Sequence, residues 1–457
     1  MSTFNDTDPA TGATIAEIEI TDDAELARIV ALARSAQPAW AALSFEERAQ
    51  KLRAGAAALG ERAEELGETI TREMGKPLAE AKREAAAWVG HTAEVLEEIE
   101  IALAPEVLPG SDSETILERH PMGVVAAITP WNFPVSMPLS ILIPALASGN
   151  TVVFKPSELV PLTGAIVAEC FASALPEGVL NLVQGAGDVG ANLVAGDVDM
   201  VGFVGSRDTG QRIMKAAGDG LKRLILELGG KDPLVVFADA DLESAAECAV
   251  RHSLRNTGQV CCSVERVYVA ESIAEEFERL VVAKASDWSH GNGFDAGSKM
   301  GPMVSDEQRG KVAIQVDSAV AAGARLLLGG KPVEGEGYFY PATVLGDVDQ
   351  SLTISHEETF GPVISLTPFD GSEERAVELA NDTPYGLGAN VYTGDLERGM
   401  RVARQIRSGQ VGINQYLGSA KGTPWVGARQ SGFGFLGGIE GHRQFTLPKS
   451  LSYPKTS

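Results

Sequence analysis

The sequence is poor in cysteine and in basic residues. Four cysteines in 457 residues are too few for a disulfide framework, so we expect free thiols in a reducing, cytoplasmic setting. Lysine and arginine number 38 against 62 acidic residues, which gives a formal net charge of −24. Since no basic excess is available to neutralise phosphate groups, nucleic acid and anionic membrane are excluded as main partners.

Charged residues are absent from Pro121 to Phe154, so this run must be considered as a possible membrane span. Prolines, glycines and asparagines interrupt it throughout. In lipid every backbone N–H and C=O needs a partner within the protein, and so many interruptions would leave several of them unpaired. We therefore expect a buried strand–loop–helix–strand unit here.

The order of apolar patterns predicts an α/β fold. Apolar residues recur at helical spacing from Asp22 to about Leu103, which indicates three or four amphipathic helices. From Val124 onward, short apolar runs alternate with helical stretches, as is typical of βαβ units around a parallel sheet. The alternation restarts near Gly229–Gly230, and a chain of 457 residues is long enough for two or three domains.

The segment RNTGQVCCS, Arg255–Ser263, holds the main candidate for a nucleophile. Cys261 and Cys262 stand side by side between a predicted helix and a predicted strand. Adjacent cysteines rarely reach disulfide geometry without distorting the backbone. Two interpretations remain open, namely a reactive thiolate or a pair of small buried apolar residues.

Two further segments have features of a nucleotide site. GFVGSRDTG, Gly202–Gly210, lies between a strand and a helix, whose first N–H groups would attract a phosphate, although its glycines do not follow the G-x-G-x-x-G pattern. KPSE, Lys155–Glu158, follows a strand, where open α/β sheets bind ligands. Lys155 could contact ribose or phosphate and Glu158 could accept from ribose hydroxyls. A plain turn is compatible with either segment.

Two polar residues stand in apolar or proline-rich surroundings. Glu227 lies within LILELGG, where a carboxylate is costly unless it is hydrogen-bonded and where its pKa should rise. It is a candidate general base, and a structural ion pair is the alternative. Asn132 lies in the loop PWNFP, where its amide could face an oxyanion or could simply occupy a turn.

Taken in order, these motifs resemble those of the aldehyde dehydrogenase superfamily along nearly the whole chain. Glu227 and Cys261 are also spaced as the base and the nucleophile are in that family. Within it, the chain resembles succinate-semialdehyde dehydrogenase-like members. The matching segments are PWNFP (Pro130–Pro134), KPSE (Lys155–Glu158), GFVGSRDTG (Gly202–Gly210), LELGGKDP (Leu226–Pro233), NTGQVCC (Asn256–Cys262) and EETFGPV (Glu357–Val363).

The resemblance implies oxidation of a small aldehyde to a carboxylic acid, with no metal. Cys261 would attack the aldehyde, Asn132 and the Cys261 N–H would stabilise the oxyanion, and Glu227 would activate water against the thioester. The implied cofactor is NAD, because the charge of Glu158 would repel a 2′-phosphate, although Lys155 and Ser157 could admit NADP. The residues expected to bind it are Trp131, Lys155, Ser157, Glu158, Gly205, Ser206, Leu228, Gly229, Glu358 and Phe360.

The resemblance also implies a doubly wound, Rossmann-like cofactor domain, an α/β catalytic domain and a small β oligomerisation domain. We assign residues 1–113 and 127–230 to the first, 231–430 to the second, and 114–126 with 431–457 to the third. The third would combine a hairpin near Glu114–Val125 with the C-terminal strand, paired with a neighbouring subunit. A homodimer or homotetramer is expected.

Two residues, Arg255 and Ser419, indicate the class of substrate. Both resemble positions that succinate-semialdehyde dehydrogenases use to hold the distal carboxylate, which favours an anionic aldehyde. The second arginine of those enzymes is missing, since Ser140 occupies its region, and Ile141 replaces a lysine common in the family. The alternatives are an Arg255 paired with a structural carboxylate, a neutral or aromatic substrate, a CoA-acylating enzyme, or a non-catalytic protein on this scaffold.

Overall fold

The structure, a computed structural model, describes residues 2–418 and 420–455. The chain begins with an antiparallel hairpin, and four helices follow, as the helical spacing predicts. Ser44 and Glu47 form a reciprocal capping box at the start of the second helix. This part comprises β1 (Thr3–Thr7), β2 (Thr14–Glu19), α1 (Asp23–Ala41), α2 (Phe45–Glu61), α3 (Ala63–Met74), α4 (Leu78–Leu103), β3 (Glu106–Pro109) and β4 (Ser113–Pro121).

A six-stranded sheet forms the centre of the first α/β unit. Its inner strands are buried at every position, which explains why they read as continuous apolar runs. The elements are β5 (Val124–Ile128), α5 (Ser136–Ala147), β6 (Thr151–Lys155), α6 (Pro161–Ala172), β7 (Leu180–Leu182), α7 (Gly187–Ala195), β8 (Met200–Val204), α8 (Arg207–Gly218) and β9 (Arg223–Glu227). The charge-free run is therefore a strand–loop–helix–strand unit, and no helix within the described residues is long and apolar enough to cross a membrane.

A seven-stranded sheet forms the centre of the second unit, and helices cover both of its faces. Its strands are parallel except β12 at one edge. The elements are β10 (Asp232–Val236), α9 (Leu242–Leu254), β11 (Val264–Ala270), α10 (Ala274–Ser286), α11 (Asp306–Ala321), β12 (Arg325–Leu328), β13 (Thr343–Gly346), α12 (Thr353–His356), β14 (Val363–Phe369), α13 (Glu373–Asn381), β15 (Gly388–Tyr392), α14 (Leu396–Ala403) and β16 (Gln410–Ile413). The predicted fold class, a Rossmann-like α/β unit followed by a second α/β unit, is confirmed.

The last part of the chain completes sheets that begin much earlier. It contains β17 (Trp425–Val426), β18 (Gly432–Phe433), β19 (Phe435–Leu436), α15 (Gly438–Arg443) and β20 (Thr446–Pro454). β18 pairs antiparallel with β9 at the edge of the six-stranded sheet. β20 pairs with β4 of the same chain, in a three-stranded sheet of order β20-β4-β3.

The bounds of this small sheet differ from those expected. Its hairpin spans Glu106–Pro121 instead of beginning near Glu114. It does not extend to Val125, because Val124–Ile128 is a fully buried strand of the six-stranded sheet. The assignment of whole domains to residue ranges stays a prediction.

Candidate active site

The parallel strands of the first sheet all end at one edge of the sheet, and their order reverses at β5. β6 and β7 lie on one side of β5, whereas β8 and β9 lie on its other side. Trp131 and Asn132 follow β5, while Gly205 and Ser206 follow β8. Open α/β sheets bind ligands in the crevice at such a switch point, which the loops after these strands would line. Several predicted cofactor residues are therefore brought together at this switch point.

The backbone just before Cys261 is held in an unusual conformation. Asn256, Thr257 and Gly258 are all left-handed, with φ angles of 51°, 58° and 70°. Glycine is required at the third position, because a Cβ there would lie 2.0 Å from the carbonyl oxygen of Gly361. Such strain persists only where the surroundings fix it, and it is concentrated at functional sites.

Asn132 contacts this same loop. Its Nδ2 donates to the carbonyl oxygen of Gln259 at 3.0 Å, two residues before Cys261. An amide nitrogen carries two N–H donors, so one remains for an incoming oxygen atom. The backbone N–H of Cys261 finds no acceptor in the part of the chain that the structure describes. Two donors are thus available beside the cysteine, which is the arrangement an oxyanion requires.

Lys76 supports the Asn132 loop, and the sequence reasoning missed it. Only 2% of its side chain is exposed, it forms an ion pair with Glu84, and its Nζ donates to the carbonyl oxygen of Asn132 at 2.8 Å. Glu84 in turn accepts from the backbone N–H groups of Val135 and Ser136, at 3.1 and 3.0 Å. A lysine between glycine and proline was the only signal in the sequence, and it indicates a turn rather than burial.

The two cysteines differ in exposure and in contacts. Cys261 is partly exposed, whereas Cys262 is 6% exposed and its sulfur accepts from Tyr416 Oη at 3.1 Å. The Cys261 thiol, the Arg255 charge and Tyr416 lower the pKa of Cys262 to about 6. The same contact between the thiols, together with burial, raises the pKa of Cys261 well above its usual range.

Glu227 ends β9 and is 4% exposed. Within the described residues neither carboxyl oxygen has a hydrogen-bond partner, which does not support the alternative of a structural ion pair. Burial raises its pKa well above the usual value. Its backbone pairs with Gly432 of β18, and its carbonyl oxygen accepts from the Gly205 N–H at 3.0 Å. A buried carboxyl group without partners is suited to proton transfer.

Lys155, Ser157 and Glu158 occupy the turn after β6. Lys155 is 3% exposed, its Nζ donates to the carbonyl oxygen of Pro156 at 3.0 Å, and it lies 3.8 Å from Glu158 Oε2. Burial lowers the pKa of Lys155. Ser157 Oγ accepts from the Leu159 N–H at 3.3 Å, while the Glu158 side chain is 42% exposed. The cluster thus places a cation and a carboxylate at the carboxyl edge of the sheet.

Glu358 and Phe360 approach this crevice from the second unit. The N–H of Gly230 donates to Glu358 Oε1 at 3.2 Å, and Phe360 forms an edge-on contact with Trp131 at 5.4 Å. A Cβ on Gly229 would lie 2.4 Å from both carboxyl oxygens of Glu358, so glycine keeps this cradle open. Burial raises the pKa of Glu358 to about 8. The carboxyl group can therefore donate as well as accept, which suits a pair of ribose hydroxyls.

The turn into α8 completes the crevice. Ser206 caps this helix by accepting from the Thr209 N–H. Leu228 is 7% exposed and packs against Gly210 in the same helix. The first N–H groups of α8 lie at the switch point and provide positive dipole ends for a phosphate. The residues present therefore fit a dinucleotide.

Arg255 contacts an aromatic ring instead of a carboxylate. Its Cζ lies 5.4 Å from the ring centroid of Tyr416, and its Nε is buried without an acceptor among the described residues. The alternative of pairing with a structural carboxylate is therefore not supported. His252 stacks on Tyr416 at 3.5 Å. Burial, with the charge of Arg255, lowers the pKa of His252 to about 3, so the imidazole is neutral.

Other predicted substrate positions are less informative. Ser419 lies outside the described residues. In α5, Ser140 Oγ donates to the carbonyl oxygen of Met137 at 2.8 Å, and Ile141 is fully buried against Gly202. This face of α5 therefore supplies no second cation. In residues 2–418 and 420–455, no group of three or more His, Cys, Asp or Glu side chains is placed to hold a metal ion.

Comparison with known proteins agrees with this geometry. The family model described as "Aldehyde dehydrogenase family" matches residues 1–451. A probable succinate-semialdehyde dehydrogenase [NADP(+)] of Sinorhizobium fredii is 38% identical over 99% of this chain and 92% of its own length. A glutarate-semialdehyde dehydrogenase of Pseudomonas putida is also 38% identical, over 98% of this chain and 94% of its own.

The likeness extends to solved structures. The crystal structure of a betaine aldehyde dehydrogenase from Staphylococcus aureus in complex with NAD+ is 35% identical, with a TM-score of 0.94. The match covers 98% of this chain and 91% of that one. The fold is doubly wound α/β, and the site has a cysteine in a strained loop next to residues that fit a dinucleotide. These features are typical of a dehydrogenase that uses a cysteine nucleophile. The chain belongs to the aldehyde dehydrogenase family.

Proposed function

We propose that this protein oxidises an aldehyde to a carboxylic acid with NAD or NADP, through a thioester on Cys261. The observation that carries the proposal is the contact of the Asn132 amide with the Gln259 carbonyl, beside the free N–H of Cys261. These donors would stabilise the oxyanion that addition of the thiol to an aldehyde generates. A family member without catalysis would not need them.

The first step is addition of the thiolate to the aldehyde carbon. The partly exposed Cys261 thiol gives its proton to water, its sulfur forms a bond to the carbonyl carbon, and the electron pair of the C=O π bond moves to the oxygen, which becomes an oxyanion. The free N–H of the Asn132 amide and the Cys261 N–H stabilise that oxyanion. Lys76, through the Asn132 carbonyl, keeps the amide directed at the cysteine loop.

We propose NAD as the main cofactor, with NADP admitted. When bound, the nicotinamide supplies the acceptor for the hydride that leaves the carbon on Cys261. Trp131, Phe360 and Glu358 would hold the nicotinamide end, and Lys155 and Glu158 the adenosine end. Glu158 disfavours a 2′-phosphate by its charge. Both cofactors are named among the similar proteins, NADP for the Sinorhizobium relative and NAD+ for the Staphylococcus structure.

The last step is hydrolysis of the thioester. Glu227 takes a proton from water, the resulting hydroxyl attacks the acyl carbon, and the Cys261 thiolate leaves as the acid is released. Burial raises the Glu227 pKa, which strengthens it as a base in its ionised form. The free carboxyl group therefore supports hydrolysis over transfer of the acyl group to CoA.

We propose a carboxylated aldehyde such as succinic semialdehyde as the substrate. Arg255 supports this choice, because a guanidinium whose buried Nε lacks an acceptor among the described residues favours an anionic ligand. Both curated relatives are named for semialdehydes, whose distal group is a carboxylate. Ser419 is retained as the proposed second contact to that carboxylate.

A neutral or aromatic aldehyde is the second candidate. Two residues of α5 favour this candidate. Ser140 donates a hydrogen bond to the Met137 carbonyl and Ile141 is buried, so neither would help Arg255 to bind a carboxylate. A single arginine gives weaker discrimination between charged and neutral substrates than a pair does.

A panel of aldehydes with NAD and NADP tests the proposal, with absorbance of the reduced cofactor as the readout. Succinic semialdehyde should be oxidised with the highest kcat/KM, and the acid should be released without CoA. Cys261→Ala should abolish turnover while retaining cofactor binding. Turnover in Cys261→Ala, or acyl-CoA as the only product when CoA is added, would overturn the mechanism.

We also propose a homodimer or homotetramer in the cytoplasm. β20 forms one edge of the three-stranded sheet, and Leu447, Leu451 and Tyr453 on it are about 40% exposed. An apolar, open strand edge is a ready site for a second subunit. The four free cysteines support a reducing compartment. Light scattering on the purified protein tests the assembly, and a monomer would contradict it.

A further inference from the structure

A fully buried ion pair lies at the start of the second α/β unit. Lys231 and Glu265 are 1% and 2% exposed, and Lys231 Nζ lies 2.6 Å from Glu265 Oε2. Desolvation makes such a pair costly, so its presence calls for a role beyond stability. The proposed reaction assigns no step to either residue.

The pair is linked to both reacting side chains through the chain itself. Lys231 lies four residues after Glu227, and Glu265 lies four residues after Cys261. Lys231 immediately precedes β10 and Glu265 lies in β11, and these two strands are paired. The ion pair therefore joins the turn that follows the base to the strand that follows the nucleophile.

The same pair holds a third segment, which carries Glu358 and Phe360. Glu265 accepts from the backbone N–H groups of Thr359 and Phe360, at 2.8 and 2.9 Å. Lys231 Nζ donates to Thr359 Oγ1 at 2.8 Å. Each oxygen of Glu265 is thus committed to one N–H of this segment.

The backbone that these contacts hold is itself strained. Phe360 is left-handed, with φ of 51°, and an aromatic residue does not adopt that conformation without support. Two glutamines of α11 hold the carbonyl side, since Gln308 Nε2 donates to the Thr359 and Phe360 carbonyls and Gln315 Nε2 donates to that of Glu358. Glu265 supplies the acceptors for the N–H side.

We infer that Glu265, charged and oriented by Lys231, is the positioning residue for the segment that grips the nicotinamide end of the cofactor. It fixes the Glu358 carboxyl group against Gly229–Gly230 and the Phe360 ring against Trp131. The inference rests on the proposed function, in which Glu358 and Phe360 contact the cofactor. Glu265 is not among the residues proposed to contact cofactor or substrate.

Glu265→Gln tests this role with little change in volume. Its amide can accept only one of the two N–H groups, so binding of NAD to the cofactor-free enzyme, measured by calorimetry, should weaken about tenfold. The KM for NAD should rise by a similar factor while the KM for the aldehyde stays constant. Alkylation of Cys261 by iodoacetamide without cofactor should proceed at the wild-type rate.

Glu98→Gln is the matched control. Glu98 is a partly buried carboxylate that contacts His442, in a cluster outside the proposed site. It should lower the unfolding temperature without changing NAD affinity. If Glu265→Gln loses stability in the same way but binds NAD like wild type, Glu265 is merely structural and the inference fails.

Thr359→Val provides a second route if Glu265→Gln does not fold. It removes the hydroxyl that accepts from Lys231 and keeps the ion pair, so NAD affinity should fall threefold or more, and wild-type affinity would overturn the inference. The calorimetric titration needs no aldehyde. Failure of the wild-type protein to bind NAD or NADP would instead reject the proposed function.

Discussion

At the scale of single residues, the site separates acid–base roles by burial. Within the described residues the Glu227 carboxyl group has no hydrogen-bond partner and burial raises its pKa, whereas Cys262 has several contacts and its pKa is lowered. Predictions about single substitutions follow from this division.

Glu227→Gln should separate acylation from hydrolysis. A first burst of reduced cofactor should remain, and steady-state turnover should fall by about 10²–10⁴, because no base activates the water. In the wild type the steady-state rate should rise as pH passes upward through the raised pKa of Glu227, since only its carboxylate accepts a proton. Stopped-flow absorbance measures both phases. Unchanged steady-state turnover in the variant would remove Glu227 from this role.

Cys262→Ala should make Cys261 more reactive at neutral pH. The contact with Cys262 is the main cause of the raised Cys261 pKa, so its removal should lower that pKa. The rate of iodoacetamide alkylation should then reach half its maximum at a lower pH than in the wild type. Cys170→Ala, which removes a buried thiol in α6, is the control. A midpoint that stays in place would show that the two thiols do not interact.

Arg255→Ala addresses the substrate. Loss of a charge-assisted hydrogen bond should raise the KM for succinic semialdehyde about ten- to a hundredfold, while the KM for butanal should stay nearly constant. Arg251→Ala, an exposed arginine one turn earlier in α9, should change neither value. Equal changes for the two aldehydes in Arg255→Ala would exclude carboxylate recognition by this residue.

At the scale of elements, the short left-handed turn between α9 and Cys261 matters most. α9 ends at Leu254, and the left-handed residues that follow reverse the chain before Cys261. Propensity alone does not reveal this, because asparagine and threonine are forced into the left-handed region by contacts with distant segments. Thr257 donates to the Gly301 carbonyl at 3.0 Å, for example.

Gly258→Ala tests the demand of this turn. Because φ is left-handed at this position and the Gly361 carbonyl is close, the alanine should reduce the free energy of unfolding by about 2–4 kcal/mol. Cys261 should also react more slowly with iodoacetamide, because its loop must shift. Gly187→Ala, in α7 with open space around it, should be neutral or mildly stabilising. Urea unfolding compares the two, and equal values would show that the turn tolerates a side chain.

Sequence patterns could predict elements and motif residues but not the contacts that orient them. The α/β order was readable because central parallel strands are continuous apolar runs, and it is confirmed. Cys261, Glu227 and Asn132 were found from short motifs, and their roles stay predictions. Lys76, Tyr416 and Glu265 were not found, because each acts through a partner more than thirty residues away along the chain.

At the scale of the whole molecule, stability depends on buried acids as well as on apolar cores. Asp6 in β1 is 1% exposed, beside Glu73 of α3, and neither of its oxygens has a hydrogen-bond partner within the described residues. Burial raises the pKa of Asp6 to about 6 from its ordinary 3.8. The folded state therefore binds a proton there more tightly than the unfolded state does.

The sign of the resulting pH dependence is set by that difference. The stabilisation that protonated Asp6 gives to the folded state is complete below about pH 4 and is lost as pH rises through about 6. The total loss in the free energy of unfolding is about 3 kcal/mol. Asp6→Asn should remove this loss, so its free energy of unfolding should fall less than that of wild type between pH 4.5 and 7. Urea titrations at the two pH values measure it, and parallel losses in both proteins would refute the assignment.

The late strands have a consequence for how the molecule is made. β18 borders the strand that ends in Glu227, Ser431 accepts from the Leu228 N–H at 2.8 Å, and β20 fills the edge of β4. During synthesis, both sheets remain open on one side until residues beyond 430 leave the ribosome. Glu227, the proposed base, is therefore not enclosed before the polypeptide is nearly finished.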